Sequence, residues 1–151
     1  MKKLLCCSWV VMVAVLFGMV PAVNAEEIIP GADVTIQVMS IMGEELTEPV
    51  ILEPWTPVAV KATLTISNDF AYPFPVAAKA VIGALVDYNM VGTRINQPGT
   101  YVGTHYILPK ASWAGGSTQI GGKVWLKYQP SQGATPVVGS STWDLIDASM
   151  P

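Results

Sequence analysis

His105 is the sole imidazole in a chain of 151 residues, so a general base, proton shuttle or histidine-ligated metal would have to use it. Its neighbours in strand alternation are Gly103 and Ile107, a setting that reads as a strand histidine either satisfied locally or facing solvent. A serine nucleophile would need a Gly-x-Ser-x-Gly elbow, and none occurs. Glu44, Glu45, Glu48 and Glu53 supply carboxylates that could pair for glycosidic acid–base work. They fall in or beside turn signals, which suits a solvated acidic rim with weak cation attraction. Asp144 and Asp147 lack EF-hand spacing. Neither Gly115-Gly116 nor Gly121-Gly122 leads into the Gly-Lys-Ser/Thr of a phosphate loop. No catalytic residue, metal site or cofactor is therefore expected. A hydrolase using His105 is the competing class, and it predicts activity lost in His105→Ala.

Aromatic side chains offer binding where these groups offer no reaction. Trp113, Trp125, Tyr128 and Trp143 cluster in the C-terminal third and are the candidate ligand-binding residues. Alternation puts Trp125 on the opposite face from Leu126 and Tyr128. If Leu126 and Tyr128 face the core, Trp125 is presented outward, as apolar area with one donor that suits a sugar or a partner protein. Burial of Trp125 under residues 111–122 is the purely structural alternative.

The elements that must position these residues begin after a leader. Lys2 and Lys3 precede an apolar run over residues 4–20, and Pro21-Ala22-Val23-Asn24-Ala25 supplies the small residues of a cleavage site. Residues 1–25 are thus expected to be a removable export signal, leaving a single domain over 26–151 and no membrane span. Cys6 and Cys7 leave with it, so no disulfide or thiolate chemistry is expected. The remaining chain has six Lys and Arg against eleven acids, a net charge of −5. That balance argues against nucleic acid, which needs clustered cations. Only 17 of these 126 residues are charged, a density low enough to suggest a surface covered by a protein partner or by another copy.

Period-two alternation marks strands at residues 34–39 and, most clearly, at residues 58–66, where Val58, Val60, Ala62, Leu64 and Ile66 share a face. Pro49-Val50-Ile51-Leu52 is a short strand candidate, and residues 26–31 read as a lead-in. Ala77, Val81, Ala84, Leu85 and Tyr88 recur at three and four, so residues 75–88 are expected to form the one helix, with Pro75 in its first turn, Gly83 allowing close approach to a sheet, and termination at Asn89 or Gly92. Residues 101–108, 123–128 and 141–146 return to strand, with 111–122 a Gly- and Ser-rich loop and Pro130-Ser131-Gln132-Gly133 a turn.

The run Gly121-Gly122-Lys123-Val124-Trp125-Leu126-Lys127-Tyr128, followed by Gly133, Pro136, Gly139 and Trp143, resembles the terminal hairpin of transcobalamin-like C-terminal domains. Ala80, Ala84 and Leu85 are similar to that family's helix, and Tyr101-Val102-Gly103-Thr104 to the strand after it; the likeness covers roughly residues 75–146. It implies a β-grasp-like α+β fold, a mostly antiparallel sheet with one helix across it. In cobalamin carriers the ligand is held mainly by a separate helical domain, for which this chain has no room, so cobalamin is not an expected ligand. The long strand at 58–66 and the Pro-rich loop after it depart from the family pattern. The resulting expectation is a secreted or cell-surface, non-enzymatic binding or assembly module. Its alternative is an all-β, immunoglobulin-like adhesion domain in which 58–66 is a central strand and 75–88 is not helical.

Overall fold

In the computed structural model, residues 25–84, 87–128 and 137–151 are described. The export signal expected over residues 1–25 lies, apart from Ala25, outside these residues, as does the turn expected at Pro130-Ser131-Gln132-Gly133. In chain order the strands are β1 (Glu26–Ile29), β2 (Ala32–Ser40), β3 (Val50–Ile51), β4 (Val58–Ile66), β5 (Val76–Ala84), β6 (Asp87–Ile95), β7 (Gly99–Ile107), β8 (Gly116–Tyr128), β9 (Val137–Ser140) and β10 (Asp144–Met150), with one 3-10 turn at Ala111–Trp113. Among the described residues no helix is long and apolar enough to cross a membrane.

The strands form two sheets. The first has the order β1-β2-β4-β7, and the second β3-β10-β8-β5-β6, with β9 also paired to β8. Every pairing is antiparallel except β3 with β10. Strand β8 is long enough to hold β10 along its first half and β9 along its second, so β9 and β10 make one interrupted strand on the same edge. Ser141 makes the interruption. Its backbone N–H donates to the Val124 carbonyl (2.8 Å), while its buried hydroxyl accepts from the Val124 N–H (3.0 Å) and donates to the Thr142 carbonyl (2.9 Å).

The chain passes between sheets at β2–β3, β3–β4, β4–β5, β6–β7 and β7–β8, crossings of the Greek-key kind found in β-sandwiches. The core lies between the sheets in two lobes. One gathers Val34, Val60, Ile82, Ile107, Ile120 and Val124. The other gathers Leu64, Ile66, Val76, Ile95 and Leu126, closed by Phe70, Tyr72, Phe74 and Tyr128.

This architecture overturns the expected α+β, β-grasp-like fold. The described residues of 75–88 form no helix: Val76–Ala84 is β5, and Asp87 and Tyr88 begin β6. Spacings of three and four are present there, but the buried apolar side chains are those of Val76, Ala78, Ala80, Ile82 and Ala84, which recur at two. Apolar residues fill most positions of this segment, as they do in a strand buried between neighbours, so both periods can be read from it. Pairing with β6 and β8 decides between them. Asn89 and Gly92, expected to end the helix, lie inside β6. The 111–122 loop is strand from Gly116 onward, the 26–31 lead-in contains β1, and the strand expected at 141–146 begins only at Asp144.

Candidate functional site

Because β5 is a strand, its odd-numbered residues point away from the core and share the outer face of the second sheet with those of β8. The rows across this face follow from the register. Tyr88 (β6), Gly83 (β5), Gly121 (β8) and Leu145 (β10) form one row; Met90, Val81 and Lys123 form the next. Beyond them come Gly92, Lys79, Trp125 and Ser140, then Arg94, Ala77, Lys127 and Val137.

Gly83 and Gly121 stand directly opposite each other and line a trough. Tyr88 and Trp143 rise beside it, 64% and 53% exposed, with Val81 and Leu145 completing a mostly apolar cleft of about 170 Å³. Both glycines have positive φ, +139° and +152°. A Cβ on Gly83 would collide with the Asp87 carbonyl, and one on Gly121 with the Asp144 carbonyl. The floor is therefore restricted to glycine by the backbones beside it.

The four aromatic residues singled out from the sequence do not form one site. Trp143 is a wall of this cleft. Trp125 is half-buried on the same face, directly opposite Lys79. Residues 111–115 do not cover it, since Gly115 is tied by its N–H to the Met150 carbonyl at the far end of β8 (2.8 Å). Trp113 lies at that far end, beside a separate cleft with Leu52, Thr118, Ala148 and Met150. The Thr118 hydroxyl there is buried without a hydrogen-bond partner. Tyr128, at the other end of β8, packs on Tyr72 with ring centroids 6.1 Å apart and closes a core lobe. The sequence reading missed Tyr88, Gly83 and Gly121. Isolated glycines inside apolar strands signal a close backbone approach, but the helical reading of 75–88 hid that signal.

Two of the groups weighed for catalysis, His105 and Glu48, have structural engagements, as does Glu26. His105 sits between the sheets with Nε2 3.4 Å from Asp87 Oδ1, joining β7 to β6. Glu48 accepts the Asp147 N–H at 2.7 Å. Glu26 accepts the Thr142 N–H and hydroxyl, tying β1 to the β9–β10 connection. Burial raises the Asp144 pKa above the usual carboxylate value, and the nearby Glu26 charge adds to the effect. Among the described residues no three His, Asp or Glu side chains converge as metal ligands. What the outer face of the second sheet offers is stacking area, one trough and a set of cations.

Comparison of the chain with protein-family models, with curated proteins and with solved structures finds no match in any of the three.

Proposed function

We propose that the protein is an exported, all-β adhesion module of the immunoglobulin-like sandwich type, which holds its partner without covalent chemistry on the outer face of the second sheet. The observation that carries this reading is the glycine-floored cleft between Tyr88 and Trp143. Two large aromatic rings left in water, on either side of a floor that admits no side chain, are costly to expose and gain free energy when covered. Tyrosine and tryptophan suit such contacts because each combines a broad apolar area with a polar tip. Trp125 and the cations around it extend the same face. The Greek-key sandwich supports the reading as a rigid mount, while its fold alone assigns no ligand.

The test is retention of residues 26–151 on isolated cell envelopes of the source, measured by co-sedimentation. Tyr88→Ala combined with Trp143→Ala should weaken retention at least tenfold with little change in melting temperature. Trp113→Ala, in the separate cleft, should leave retention unchanged. Retention that survives the double substitution overturns the assignment of this face.

A further inference from the structure

Four of the six Lys and Arg residues in 26–151, namely Lys79, Arg94, Lys123 and Lys127, stand on the outer face of the second sheet. Lys79 is directly opposite Trp125, and Lys123 and Lys127 lie two residues to either side of it along β8. Among the described residues none of the four has a carboxylate within ion-pair distance. Like charges on neighbouring positions of one sheet face repel. Here they gather in a chain segment that is acidic as a whole.

A surface of the opposite character lies at one end of the first sheet. Ser40, Val58 and Ile107 are in register side by side there, and the connections adjoining them expose Ile41, Met42 (84% exposed), Trp55 (63%) and Leu108. Glu44, Glu45 and Glu53 stand exposed beside these residues, against the single cation Lys110. The tip is held in place. The Ser40 hydroxyl accepts the N–H groups of Met42 and Glu44, each at 3.2 Å. Trp55 donates its N–H to the Pro109 carbonyl at 2.9 Å and has a φ of +63°. A bulky residue adopts that backbone conformation only where its surroundings impose it. The loops thus present large apolar side chains to solvent from a fixed backbone.

We infer that the partner of the sheet face is a second copy of this chain, which docks its acidic, apolar tip on the cationic, aromatic face. The inference rests on the reading of that face proposed above and names its occupant. Each surface has an apolar centre with a surplus of one charge around it, positive on the face despite Asp147 and negative at the tip despite Lys110, and opposite surpluses give association both affinity and orientation. Tip and face are different patches of one molecule, so the contact is head to tail. Each bound copy leaves one free patch at either end of the assembly, which then grows as a filament or closes as a ring. Charge attraction on the surface is screened by salt, so assembly should weaken as ionic strength rises.

Sedimentation velocity on residues 26–151 tests this. The wild type should gain mass with concentration, and less so at ~0.5 M than at ~0.05 M salt. Lys123→Glu with Lys127→Glu breaks the face, and Met42→Ser with Trp55→Ala breaks the tip. Each variant alone should be monomeric, with a melting temperature near that of the wild type. Lys79→Glu serves if the double face variant does not fold. Mixed together, the face and tip variants each keep one working patch and should form a one-to-one heterodimer and nothing larger. A wild type that stays monomeric, or a mixture that forms no heterodimer, overturns self-assembly. If envelope retention still depends on Tyr88 and Trp143 in that case, the face remains a binding site with a different occupant. If retention is independent of them, the reading of the face fails as well.

Discussion

Gly121 shows how one missing side chain serves both fold and site. Its φ of +152° and the Asp144 carbonyl beside it leave no space for a Cβ. Gly121→Ala should therefore cost about 1–3 kcal/mol from backbone strain, read as a lower urea midpoint with an unchanged slope. The β10 backbone at Asp144 and Leu145 would have to shift to admit that methyl group, and both Gly121 and Leu145 line the trough. Asp144 itself carries a pH-dependent term. The folded protein binds its proton more tightly than the unfolded chain does, because burial and the Glu26 charge disfavour the carboxylate. Stability from this group is gained as pH falls through the raised pKa and lost as pH rises through it. At neutral pH the ionised side chain is a liability. Asp144→Asn should then raise the melting temperature only slightly, by about 1 °C at about pH 7 because the side chain is exposed to solvent, with a smaller effect near pH 3, where Asp144 is largely protonated. Equal shifts at the two pH values would assign the change to something other than ionisation.

At the level of elements, the β9–β10 break depends on the Ser141 hydroxyl. Ser141→Ala leaves the buried Val124 N–H without its acceptor, a loss of about 1–3 kcal/mol. Native-state hydrogen exchange should report it as lost protection at Val124, ahead of residues in β4. The same comparison of strands explains what could be read from the sequence. Strand β4 was legible because it has a buried face, Val58 to Ile66 in steps of two, and between them Lys61, Thr63 and Thr65 on the other. In β5 the faces are poorly distinguished, since Ala77 and Val81 sit outside and Ala78 and Ala80 inside. Polar contrast, the cue that separates a period of two from one of 3.6, is nearly absent there. The outward placement of Trp125 was legible from alternation alone. The facing of Gly83 and Gly121 required the β5–β8 register, which joins residues far apart in the chain, while Tyr88, opposite Gly83 in β6, was hidden by the helical reading of 75–88.

Across the whole molecule, the two core lobes meet on shared strands. Strand β4 contributes Val60 and Ala62 to one lobe and Leu64 and Ile66 to the other, and β5 and β8 are divided in the same way. A strand cannot leave one lobe without giving up its ladder hydrogen bonds in the other. Residues 26–151 should accordingly unfold as one cooperative unit, even though the buried side chains fall into two groups. In urea, tryptophan fluorescence and far-UV circular dichroism should give superimposable transitions. Ile82→Ala, in the first lobe, and Leu126→Ala, in the second, should each destabilise by about 2–5 kcal/mol and move both signals together. A variant that lowers the midpoint of one signal and leaves the other in place would mean that the lobes fold separately, and the sandwich would then not be the rigid mount that the binding face requires.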